Sequence, residues 1–100
     1  MVVGGGRYRF YSSDDLIHWH QTGDMAVFEE FPDLFRIGDC WVLNLNGYGY
    51  YIGEYTGEKF IPGQPLQNID FGNSWQACYT FSDMPEQRVA WMAWMRDACK

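Results

Sequence analysis

Apolar residues fall in short runs of about four to eight along most of this chain, bounded by turn residues. Residues 1–6 are an apolar run closed by three glycines, and residues 7–12 alternate Arg and small residues with Tyr8 and Phe10. Ser12-Ser13-Asp14-Asp15 reads as a turn, because short polar side chains hydrogen-bond to nearby backbone. A short strand over 17–21 follows, ending at Thr22-Gly23-Asp24. Strands are expected at 32–37 and 40–45 around Gly38-Asp39, and at 49–55 after Asn46-Gly47, a strong hairpin signal. Thr56-Gly57-Glu58 is a turn and residues 62–65 a Pro/Gly loop; 66–71 reads as an edge strand. Residues 75–81 and 88–95 complete the strands, with a turn at Met84-Pro85-Glu86 and a frayed or helical tail over 96–100. No helical period is sustained.

Strands of this kind build sandwiches, barrels or propellers. A weak internal repeat points to the last. Met1-Val2-Val3-Gly4, Trp41-Val42-Leu43-Asn44 and Val89-Ala90-Trp91-Met92 read as one strand used three times. Tyr8-Arg9-Phe10-Tyr11 matches Tyr50-Tyr51-Ile52-Gly53, and Pro32-Asp33-Leu34-Phe35 matches Cys78-Tyr79-Thr80-Phe81. A spacing of roughly 40–50 residues is that of four-stranded propeller blades. The expected fold is all-β, in antiparallel β-propeller blades, with about two blades' worth of strands. Residues 1–100 would form one partial domain: 1–26 part of one blade, 27–71 a full blade, 72–100 part of a third. Such a set closes no ring, so a homo-oligomer formed through exposed strand edges is expected.

Composition narrows the chemistry. The chain is 47% hydrophobic and 19% aromatic, enough to give a small domain a core. Aromatic rings fill β-rich cores, and they also stack on the flat faces of sugars. The net charge of −6 comes with no basic stripe, which argues against nucleic acid and anionic membranes as partners. Cys40, Cys78 and Cys99 cannot all pair within one chain and lack metal-type spacing, so reduced thiols are expected. Gly4-Gly5-Gly6 has no following helix pattern or Lys-Ser/Thr, and is no phosphate loop. His18-Trp19-His20 would place two imidazoles on one strand face, but no third ligand is suitably spaced. No cofactor and no metal are therefore expected. With Met1 as the native start and no signal pattern, a cytoplasmic location is expected.

Glu30-Phe31-Pro32-Asp33-Leu34-Phe35 carries the clearest candidate chemistry. An acid stands just ahead of a proline at the head of an apolar strand. Proline fixes its own backbone and biases the preceding residue towards extended geometry, which would hold a nearby acid in a defined direction. The same residues also read as solvated acids entering a strand.

Taken with three further motifs, this segment resembles glycoside hydrolase family 32, the invertase, levanase and sucrose-6-phosphate hydrolase family. Met1-Val2-Val3-Gly4 followed by Ser13-Asp14-Asp15-Leu16-Ile17-His18-Trp19 is similar to that family's third blade. Residues 30–35 resemble its Glu-Cys-Pro-Asp-Leu-Phe motif. Asp70-Phe71-Gly72 with Ala77 and Thr80-Phe81 resembles its Asp-x-Gly…Tyr-Ala-x-x-Thr-Phe segment. Residues 88–95 are similar to its Arg-Arg-Ile…Gly-Trp-Met strand. The resemblance implies blades three to five of a five-bladed propeller that hydrolyses β-fructofuranosides with retention, on sucrose, its 6-phosphate or fructans. It implies Glu30 as the general acid/base. Glu29 is excluded, since neighbouring strand residues point to opposite faces. Asp33, Asp70 and Trp75 are implied as substrate-binding residues.

The family's nucleophile motif, Trp-x-Asn-Asp-Pro-x-Gly, and its Arg-Asp-Pro motif do not occur in these 100 residues. Phe31 replaces the motif cysteine, Gln76 a tyrosine, and Met92-Ala93 the glycine before Trp94. The chain alone is thus expected to be inactive. Three readings stand: part of a fructosidase, a non-catalytic carbohydrate-binding or self-assembling propeller module, and a structural remnant.

Overall fold

A computed structural model describes residues 1–72 and 74–96. They form three antiparallel sheets. The first holds β1 (Val2–Val3), β2 (Tyr8–Ser12) and β3 (His20–Met25), in that order. The second holds β4 (Pro32–Ile37), β5 (Cys40–Leu45), β6 (Gly49–Tyr55) and β7 (Phe60–Pro62). The third pairs β8 (Trp75–Phe81) with β9 (Ala90–Met95). The first strands of the sheets stand side by side, β1 against β4 and β4 against β8. The chain is all-β, in the antiparallel blades of a propeller.

β5 explains the stacking. Trp41, Leu43 and Leu45 face one side of the sheet, Val42 and Asn44 the other, and positions 42–46 are all buried. A strand covered on both faces must sit between two sheets. On one side Leu43 and Leu45 join Tyr8, Phe10 and Phe60 in the main core. Tyr55 packs edge-on to Trp41 with ring centroids 5.2 Å apart. Burial of the Tyr8 ring, with the Glu29 charge as a smaller cause, pushes its phenol well above the usual range. On the other side Trp91 of β9 meets Phe35 and Tyr50 at 5.3 and 5.7 Å.

Turn chemistry set most boundaries. Asn46 (φ 54) and Gly47 (φ 91) are both left-handed, which gives the tight primed turn between β5 and β6. Gly47 is also a contact point. A Cβ there would lie 2.7 Å from the Trp75 carbonyl oxygen, so only glycine allows β8 this close.

Several expected elements moved. The third strand starts at His20, not residue 17. Ser13 Oγ accepts from the Leu16 N–H (2.8 Å), and Asp15 Oδ1 accepts from Ile17 and His18 (2.9 and 2.8 Å), so the turn runs on through His18. The His18 ring, 2.7 Å from Asp15 Oδ2, and those backbone donors hold the Asp15 carboxyl far below the usual range. His18 and His20 therefore do not share a strand face. The triplet Thr22-Gly23-Asp24 is strand, not turn. Gly23 leaves room for Lys59, and Thr22 Oγ1 donates to the Glu58 carbonyl at 2.6 Å.

The fourth strand of sheet two is Phe60–Pro62 rather than 66–71. Thr56 N–H bonds to the Lys59 carbonyl at 3.1 Å, folding the chain back at once and burying Phe60. Gln67 makes only an isolated bridge to Tyr50. A 3-10 turn at Pro85–Gln87, closed by Arg88 N–H on the Pro85 carbonyl, delays the last strand to Ala90. The repeat was partly misregistered. Val2-Val3 is a first strand, whereas Trp41 and Trp91 lie on second strands, and Tyr8 and Tyr50 lie on second and third strands. Residues 32–35 and 78–81 do occupy equivalent first strands. Most of the expected tail, with Cys99, lies outside the described residues. Cys40 is exposed and Cys78 buried, both free.

Candidate active site

Glu30 stands at the head of β4, where the first strands of the sheets converge. It lines a cavity of about 400 Å³ with Val2, Val3, Gly4, Gly5, Phe31, Pro32 and Tyr79. Three features aim it. A Cβ on Gly4 would lie 2.8 Å from Pro32 Cδ and 2.9 Å from the Glu29 carbonyl, so glycine lets β1 close on this segment. Tyr8 Oη donates to the Glu30 carbonyl at 3.3 Å. Phe31 is left-handed at φ 47. The extended geometry expected before Pro32 is thus overturned. The packing of Pro32 on Gly4 and the Tyr8 bond impose a kink costing about 1–2 kcal/mol. Glu30 itself is exposed to the cleft, and its carboxylate makes no hydrogen bond among the described residues.

The other candidates lie elsewhere. Asp33 Oδ2 accepts the Thr80 backbone N–H at 2.8 Å and clamps β8 to β4; it does not line the Glu30 cavity. Asp70 and Trp75 come together in a second cavity of about 360 Å³, with Gly47, Tyr48, Asn68, Phe71 and Gly72. Asp70 Oδ1 accepts the Gly72 N–H at 3.2 Å. Glu30 therefore shares its cleft with none of Asp33, Asp70 and Trp75. No second carboxylate lines that cleft among the described residues. No group of three or more His, Cys, Asp or Glu among them is placed to hold a metal ion.

Tyr79 was missed by sequence reasoning. It sits beyond a β-bulge between Gln76 and Tyr79, with Ala77 left-handed at φ 51. Asn46 O holds Ala77 N–H at 3.0 Å, Asn44 Nδ2 holds the Cys78 carbonyl at 3.2 Å, and Asp33 holds Thr80. Alternation along β8 would have placed Tyr79 opposite buried Cys78, but not beside Glu30. Tyr48 and Asn68, on a turn and a loop, gave no periodic signal.

Antiparallel sheets stacked with their first strands side by side define the blades of a β-propeller, and Glu30 lies where those first strands meet. The chain belongs to the family described as the glycosyl hydrolases family 32 N-terminal domain, which it matches over residues 1–99. It is 34% identical to a levanase of Bacillus sp. (strain L7), over 95% of this chain and 13% of that protein. It is 33% identical to a levanbiose-producing levanase of Bacillus subtilis (strain 168), over 97% of this chain and 23% of that protein. A levanbiose-producing levanase of Geobacillus stearothermophilus is 32% identical, over 97% and 31%. The chain thus spans less than a third of the length of each of these relatives. No solved structure matches it.

Proposed function

We propose that this chain is the acid/base part of a retaining β-fructosidase acting on fructans, corresponding to blades three to five of the propeller. The observation that carries the reading is the position of Glu30, at the head of β4 in a cleft shared with β1 and β8. The levanase relatives point to fructans as the substrate class. In the first step a carboxylate from outside these residues attacks the anomeric carbon, while Glu30 gives its proton to the departing oxygen. In the second, Glu30 takes a proton from water, the water oxygen attacks the same carbon, and the nucleophile leaves. Asp33 positions β8 rather than touching sugar.

Two preparations test this. The 100-residue chain incubated with levan, inulin or sucrose releases no fructose. Joined behind the early blades of the Bacillus subtilis relative, which would supply the missing motifs, it releases fructose or levanbiose from levan. Fructose release by the chain alone, or a folded but inactive fusion, overturns the proposal.

One observation favours a self-assembling module as the second reading. Tyr79, Phe81, Met92 and Trp94 leave an apolar face exposed on the last sheet. On that reading the chain self-associates, and light scattering that shows a monomer at high concentration removes it.

A further inference from the structure

The cavity that joins Asp70 and Trp75 lies on the same end of the sheet stack as Glu30. Pro32 pairs with Leu45, so residues 30–31 and the 46–48 turn leave sheet two at one end. Ala77 N–H on the Asn46 carbonyl, at 3.0 Å, and the contact of Gly47 with Trp75 bring the start of β8 to that end too. The two cavities share no lining residue.

The second cavity carries the chemistry that recognises a sugar. Tyr48 is 60% exposed although large and aromatic, and Trp75 supplies a second ring. The Asn68 amide offers donors and an acceptor, and the Asp70 carboxylate keeps acceptor positions beyond the one used by Gly72. Rings with a few convergent polar groups, in about 360 Å³, are the usual make-up of a small-ligand cleft. We infer that this cleft is a distal fructan-binding site, gripping a furanose unit of a chain whose other part lies at Glu30. This rests on the proposed function and narrows it. A polymer can occupy both clefts at once, whereas a disaccharide in one leaves the other empty. The linked contacts then raise affinity for the polymer over the disaccharide.

The test is affinity electrophoresis of the full chain through gels containing levan, with amylose gels as control. Levan retards the wild-type chain and amylose does not. Tyr48→Ser and Asn68→Ala each weaken levan retention about tenfold, the effect of removing an anchoring contact. Both changes are on surface side chains, and matching circular dichroism spectra confirm folding. Unchanged retention in both variants overturns the inference, as does equal retention by amylose or none by levan. If Phe31→Ala abolishes retention while Tyr48→Ser leaves it intact, fructan sits at the Glu30 cleft only. The inference then fails while the proposed function stands. An inactive fusion with levan retention still lost in Tyr48→Ser has the opposite meaning.

Discussion

Replacing Glu30 by Gln in the active fusion lowers kcat on levan by about 10²–10⁴-fold and leaves KM within a few-fold of wild type, the loss of a general acid. Gln has the shape of Glu but cannot give up a proton as an acid does. The exchange disturbs little else. The carboxylate makes no hydrogen bond among the described residues, and the Tyr8 bond goes to the backbone carbonyl, which Gln keeps. The defect depends on the leaving group. A fructosyl fluoride, whose leaving group needs no proton, forms the covalent intermediate at near wild-type rate. On the proposed mechanism its hydrolysis remains slow, because Glu30 would also activate the water, and azide restores turnover as fructosyl azide. Steady-state rates and product analysis on both substrates check this. Wild-type kcat on levan in the Gln variant would remove Glu30 from the mechanism.

The largest effect on stability is expected at Asn44. This side chain is fully buried between sheets two and three. Its Nδ2 donates to the Cys78 carbonyl and its Oδ1 accepts the Gly47 N–H, both at 3.2 Å. Asn44→Leu fills similar space but strands two buried backbone groups, at about 1–3 kcal/mol each. A total of about 2–6 kcal/mol compares with the 5–15 kcal/mol that holds a typical domain together. Asn44→Asp also fails, because an acceptor-only carboxylate then faces the Cys78 carbonyl in a buried site. Urea midpoints measure the loss. A thiol reagent locates it, in a background where Cys40 and Cys99 are serine. Buried Cys78, whose thiol burial also pushes above its usual range, is protected in the parent and reacts once β8 comes away. A midpoint shift below about 0.5 kcal/mol with Cys78 still protected would show that Asn44 is no pin.

Much of the fold was legible because it is local. Residues 32–37, 40–45 and 49–55 became strands with those bounds, because short apolar runs and the Gly38-Asp39 and Asn46-Gly47 turns between them act within a few residues. The misplaced elements share one cause. Leu16 and Ile17 N–H groups donating to Ser13 Oγ and Asp15 Oδ1 extended a turn over these apolar residues, and the tight turn at Thr56 took the edge position for Phe60. Hydropathy patterns do not see such competition. The repeat misled because inner and second strands of successive blades carry similar apolar residues.

The sequence by itself determined the all-β character and most hairpins, since each depends on neighbours along the chain. Only the tertiary structure decided that Tyr79 joins Glu30, that Asp33 holds Thr80 instead of facing the cleft, and that Asp70 and Trp75 form a separate pocket. Those relations are distances between sheets. They arise from how closely Gly4 and Gly47 let the blades approach and from the bonds of Asn44 and Asn46 to β8, which no periodicity within one strand encodes.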